Sequence, residues 1–305
     1  MKRRHLLAAA LAAPLSLRAG DAHAWITNQA SHSVSVIHVA SRQVVATVPV
    51  GRSPAGVVAL GRRVYVSCPD SRAISVIDTA TRQVAQTLPA GQGPVGLAAT
   101  EDGTVYAADW YANRLLVLGA RTDEAALGRA PAGVLVHAGR VYVAERDDDC
   151  VAVLDAATLR VQARVPVGSH PFALALDAPR GRLFALNVQS DDASVIDLAT
   201  LTVTHRLPTG AAPYGAAVSR DGRWLYVTNQ HADSVSQFDA HSLAPLRTLD
   251  GFGYPEGIAA WGDEIWVVNW MDDAVSVLDA ASGRERTRIP VGRNPRGFGP
   301  FISLT

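Results

Sequence analysis

One proline-led sentence of about forty residues recurs until the chain ends, and it constrains the fold more than any other feature. The prolines are Pro54, Pro94, Pro131, Pro171, Pro213, Pro255 and Pro295, spaced by 40, 37, 40, 42, 42 and 40 residues. In the fullest copy Pro213-Tyr214-Gly215-Ala216-Ala217-Val218 is followed by Arg220-Asp221-Gly222, Leu225-Tyr226-Val227-Thr228-Asn229, Asp233-Ser234-Val235-Ser236-Gln237-Phe238-Asp239 and a run ending Leu246-Arg247-Thr248-Leu249. Turn formers separate these segments: Asp-Gly suits a tight hairpin, and the stretch from Asn229 to Asp233 a longer loop. Each copy reads as a four-stranded antiparallel meander. Such a sheet cannot bury both faces alone, so the copies must stack, and for four-stranded sheets the stacking solution is a ring. The seven prolines predict seven blades.

The two ends fit a closed ring. Trp25-Ile26-Thr27-Asn28 occupies the place of a second strand, whereas the last proline unit stops after one segment, Arg296 to Ile302. We therefore expect an all-β, seven-bladed β-propeller of four-stranded antiparallel blades, closed by a C-terminal strand that joins the N-terminal blade and leaves no open sheet edge. The domain division is a leader over 1–24 and one propeller over 25–305.

The residues that build the repeats also carry a resemblance. Tyr65-Val66 with Ile74-Ser75-Val76-Ile77-Asp78, Leu225-Tyr226-Val227-Thr228-Asn229, Trp266-Val267-Val268-Asn269 with Val275-Ser276-Val277-Leu278-Asp279, and Val291-Gly292-Arg293-Asn294-Pro295-Arg296-Gly297 resemble the YVTN-family β-propeller repeat. The likeness covers nearly everything after residue 24. It implies the propeller fold, export, and an accessory place beside bacterial redox or catabolic systems; it implies no catalytic residue.

Lys2-Arg3-Arg4, the apolar run Leu6 to Leu17 and the small-x-small triplet Ala22-His23-Ala24 form an export signal. The run is too short to span a bilayer, and the paired arginines suit either the general or the twin-arginine route. Periplasmic or secreted localisation follows. Cleavage after residue 24 leaves 24 basic and 27 acidic side chains, a near-neutral balance that argues against nucleic acid or an anionic membrane as partner. It also removes Lys2, the only lysine, which excludes Schiff-base chemistry. Cys68 and Cys150 come from non-adjacent repeats and read as two isolated thiols; without Cys-x-x-Cys-His there is no covalent heme site. The unit opening at Pro94 lacks the Asp-x-x-Thr turn of the others, so a frayed outer strand is expected there.

In a propeller the loops beside each proline and after each second strand meet at one mouth of the central channel. The ligand-binding candidates gathered there are Arg52, Trp110, His170, Phe172, Tyr214, His231, Tyr254, Glu256, Trp270 and Arg296, with aromatic and polar character concentrated in the last four units. They suit a small polar or carboxylate-bearing ligand clamped by Arg296 and stacked on Tyr or Trp. By contrast, Asn28, Asp109, Glu145, Asn187, Asn229 and Asn269 read as architecture, because Asn and Asp at strand ends bond local backbone.

No nucleophile elbow, phosphate loop or His-Glu-x-x-His motif is present, so no catalytic residue is assigned. The expectation is a monomeric binding propeller that recognises a small molecule or a periplasmic protein, including a redox enzyme, and needs no cofactor. His32, His170, His231 and Glu256 are types a divalent ion accepts, but no local spacing makes them a metal site. The alternative is a lactonase-like hydrolase or lyase with Glu256 as base, His170 as acid/base partner and Arg296 as anion clamp. A third class, a propeller holding a non-covalent heme, requires an axial histidine, for which His32, His170 and His231 are the best placed.

Overall fold

The computed structural model describes residues 22–304, so the expected leader lies outside the described residues up to position 21. The first strand, β1 (Ala22–Asn28), includes the last three residues of that expected leader. Among the described residues no helix is long and apolar enough to cross a membrane.

Seven antiparallel sheets form the ring, and in six of them the strands run outward from an inner strand in sequence order. Blade 1 holds β1, β2 (Ser33–His38) and β3 (Gln43–Pro49); blades 2 to 7 open with the inner strands β4 (Val57–Leu60), β8 (Pro94–Ala99), β12 (Pro131–His137), β16 (Pro171–Asp177), β20 (Pro213–Val218) and β24 (Pro255–Trp261). The blade of the shortest repeat ends in a four-residue outer strand, β11 (Asp123–Ala126), against six or seven residues in the other blades.

Alternation within the middle strands explains the stacking. Val141 and Val143 pack with Leu115 and Val117 of the preceding blade, while Tyr142 between them packs with Leu183 and Ala185 of the following one. Both faces of every sheet are buried, which is why phrases such as Val-Tyr-Val read as continuous apolar runs.

Closure is made by C-terminal residues, as expected, but through two short strands instead of one. β28 (Pro295–Arg296) pairs with Thr27 and Asn28, and β29 (Ile302–Leu304) pairs with Ala22 to Ala24. Between them Gly297 to Phe301 leaves the sheet and runs beside β4: the Val57 and Ala59 amides donate to the carbonyls of Phe298 and Pro300 at 3.0 and 2.8 Å. Gly299 at φ +124° makes that departure possible.

Adjacent blades are tied by a repeated hydroxyl. Thr228 accepts from the Gly215 amide and donates to the Glu256 carbonyl of the next blade, each at 2.8 Å. At the closure, Thr27 Oγ1 lies 3.0 Å from the carbonyls of both Ala55 and Arg296. Both cysteines are buried and unbridged. Thr27→Val should lower the free energy of unfolding in urea by about 1–3 kcal/mol, the cost of orphaning buried acceptors; a change within error of zero would remove this hydroxyl from the closure.

Candidate functional site

Each inner strand from blade 3 to blade 7 begins with a register shift just after its proline. Such bulges redirect side chains. The following glycine is required by the close approach of the next blade: a Cβ on Gly96 would lie 2.1 Å from the Ala132 carbonyl oxygen, and one on Gly215 would lie 2.5 Å from that of Glu256. The residue after the proline, followed by glycine in six units and by Ala173 in the other, is thereby presented at the mouth. Around the ring this position is Ala55, Val95, Ala132, Phe172, Tyr214, Glu256 and Arg296, three small residues followed by two aromatic and two charged ones.

The charged pair is buried. Gln230 Nε2 donates to Glu256 Oε1 at 2.9 Å. Arg296 Nε stands 3.2 Å from Glu256 Oε2, yet off the N–H axis, so neither atom makes a hydrogen bond although both are shielded from solvent. We treat this as a charge contact. Burial pushes the Glu256 carboxyl up from 4.5 to about 7, against the opposing pull of Arg296 and Gln230. The Tyr214 hydroxyl is held well above its ordinary value, by burial first and the Glu256 charge second.

Aromatic rings adjoin this pair. Phe172 lies 4.7 Å from Tyr214, 5.0 Å from Phe298 and 6.0 Å from Trp110 between ring centroids, and the Arg146 guanidinium sits 5.6 Å over Trp110. A second array on the rim stacks Tyr254 between His231 and Trp270 at 5.6 and 5.5 Å. Arg52 is apart from both, with its guanidinium on the Asp70 carbonyl at 2.7 Å, in a polar depression shared with His32 and Tyr111. Phe298, Arg146 and Gln230 were not foreseen. Of these, only Phe298 left a signal, since Gly297-Phe298-Gly299-Pro300 cannot continue a regular strand.

The histidines differ in what holds them. His170 Nδ1 is 2.9 Å from Ser169 Oγ, and its ring nitrogens are 3.8 Å from carboxylate oxygens of Asp147 and Asp149. His170 therefore belongs to a cluster separate from Glu256 and Arg296, so the three residues of the hydrolase alternative are not joined by contacts. His32 Nδ1 accepts the Ser53 amide at 3.1 Å. That is the task of Asp149, Asp191, Asp233 and Asp273, whose carboxylates accept the amides of His170, Ala212, Tyr254 and Asn294 at 2.7 to 2.9 Å. Asn28 and Asn229 likewise accept glycine amides at 3.1 and 3.0 Å, as architecture requires. Among the described residues no three His, Cys, Asp or Glu side chains are grouped as metal ligands.

The fold and mouth define a seven-bladed propeller with an aromatic and ionic cluster at one end of its channel. Residues 140–257 match the family described as Cytochrome D1 heme domain. Similar solved structures include hydrazine synthase of Kuenenia stuttgartiensis, at 18% identity and TM-score 0.75 over 84% of this chain and 92% of that one. The dihydro-heme d1 dehydrogenase NirN in complex with DHE is similar at 16% identity and TM-score 0.71, over 95% of this chain and 76% of that one. A streptogramin B lyase is similar at 17% identity and TM-score 0.69, over 81% and 86%. At these identities the likeness is one of fold. No curated protein matches the sequence.

The expectation that no cofactor is involved is corrected by the heme-domain match and the likeness to NirN. It rested on the lack of a covalent attachment motif and of spaced metal ligands. A heme held without covalent bonds requires neither, because one axial side chain and flat ring faces from distant loops suffice.

A carboxyl that holds its proton more tightly in the folded chain lends stability below its unfolded value and loses it as pH rises through the folded one. Between pH 5 and pH 8 the wild type should therefore lose about 1–3 kcal/mol of unfolding free energy relative to Glu256→Gln. Parallel pH profiles of the two proteins in urea titrations would show that Glu256 ionises normally.

Proposed function

We propose that the chain is an exported, non-covalent heme-binding propeller, accessory to a redox system, that holds the group at the channel mouth and presents it to a small molecule or a periplasmic protein. The observation that carries this reading is the position of His170 beside Phe172, within the span matched to the heme domain. NirN, the similar structure in complex with DHE, agrees with it. Export rests on the leader, with its cleavage placed before Ala22 instead of after Ala24 because Ala22 to Ala24 pair with the C-terminal strand, and the chain is read as a monomer.

The residues at the mouth fit such a group. A heme needs a nitrogen ligand, apolar faces and cations for its carboxylates. His170 has Nδ1 engaged by Ser169, which fixes the ring and leaves Nε2, 3.8 Å from an Asp147 carboxylate oxygen, as the ligating atom. Phe172 and Trp110 supply ring faces. With no lysine after Lys2, the carboxylates fall to arginine, and Arg146, over Trp110, is the one at this place. Bound heme would supply an iron centre that exchanges electrons. The chain contributes the ligand, the stacking faces and the exclusion of water by Tyr214, Phe172 and Phe298.

A second reading, a lyase- or hydrolase-type enzyme, is favoured by one observation: Glu256 is buried, raised to about 7 and set against Arg296 and Tyr214, as a general acid would be. In that case Glu256→Gln abolishes turnover of a lactone panel and leaves heme uptake intact.

Titration of the purified protein with hemin should give a saturable Soret shift. His170→Ala should change the Soret position and weaken binding at least tenfold, and Phe172→Ala should weaken it severalfold without moving the band. A wild type with no saturable spectral change, or a His170→Ala spectrum identical to wild type, would overturn the heme reading.

A further inference from the structure

Below the mouth the inner strands enclose an axial cavity of about 490 Å³. Its wall is apolar, with Leu97, Leu135, Leu174, Ala175, Ala216 and Ile258 from five successive blades. At the far ends of the same strands Ala99, Val136, Leu176, Val218 and Ala260 are only partly buried, so the apolar wall continues toward the face opposite the mouth. Tyr214, Glu256 and Phe298 line the mouth end, whereas His170, Trp110, Arg146 and Phe172 do not contribute to the wall. The cavity thus borders the proposed heme seat, with Tyr214 and Phe298 common to both and the heme ligand and its stacking faces outside the wall, and it is within the size range of small-molecule pockets.

Its mouth end is polar in a specific way. Glu256 Oε2 is an acceptor and Arg296 Nε–H a donor, 3.2 Å apart, both buried and neither hydrogen-bonded. A buried polar atom without a hydrogen bond has lost its hydration with nothing in exchange, so a ligand that satisfies both gains on both. With Glu256 ionised, as it is above about pH 8, the pair is compensated in charge. A cationic or anionic head would bury one net charge among apolar walls, which is costly; a neutral head that donates to Glu256 and accepts from Arg296 adds none. A hydroxyl or a primary amide has this donor and acceptor on one small group.

We propose that the axial cavity is a second binding site, for a small apolar molecule bearing one neutral hydroxyl or amide head, with the head at Glu256 and Arg296 and the body along the Ala175–Ala216 wall. The site requires no heme, so its test is read on the heme-free protein and its outcome is separate from the hemin titration.

Calorimetric titration at about pH 8.5, where Glu256 is ionised, with 1-octanol and octanamide should show saturable binding of one molecule per chain, with octanoate and n-octylammonium at least tenfold weaker. Ala216→Phe and Ala175→Phe, which fill the cavity, should each weaken 1-octanol binding at least tenfold while hemin uptake at the mouth is retained. Absence of saturable binding of the neutral probes, equal or tighter binding of the charged ones, or unchanged binding in folded cavity-filled variants would each overturn the proposal. If both variants fail to fold, the probe series on the wild type decides it.

Discussion

The structure depends on the pairing of β1 with two fragments of the chain's other end. Every blade has two buried faces, and a stack of such sheets has a stable form only when its first and last members meet. Here that meeting is made by few residues: Thr27 and Asn28 against Arg296 and Pro295, then Ala22 to Ala24 against Ile302 to Leu304. The excursion between the two fragments also shapes the channel, because it lays Phe298 against Phe172 and Tyr214. Closure and the shape of the mouth therefore share one segment, Pro295 to Leu304.

Around the ring the same loop positions do two different things. Asn28, Asp109, Glu145 and Asn229 take up amides of the loop that enters a blade, and Asp149, Asp191, Asp233 and Asp273 bond the residue before the next proline. These carboxylates and amides are structural because the backbone donors they satisfy would otherwise be orphaned. His32 shows that residue type alone is a poor guide, since its Nδ1 fills a place held elsewhere by aspartate. The residues free for chemistry include those one step past the proline, where the repeat demands no particular side chain.

At that position the ring is asymmetric. Ala55, Val95 and Ala132 leave one side shallow, whereas Phe172, Tyr214, Glu256 and Arg296 build a wall on the other. Placing a carboxylate and a guanidinium beside three aromatic rings strengthens their mutual field and raises the cost of any unmatched charge. Such a mouth favours flat or neutral partners, in keeping with the heme and the apolar ligand proposed for it.

By itself the sequence determined the number of blades, their strand order and the ring closure. These follow from the proline spacing and from alternation, which are local patterns repeated seven times. It also marked Phe172, Tyr214, Glu256 and Arg296, because they depart from a regular repeat. The tertiary structure decided which of these touch, that His170 stands apart from Glu256, that His32 serves the backbone, and that Arg146, Gln230 and Phe298 complete the mouth. Those outcomes depend on side-chain packing between blades some forty residues apart, and on a closing strand that breaks at Gly297 to run beside β4; no pattern within one repeat encodes a contact between two of them.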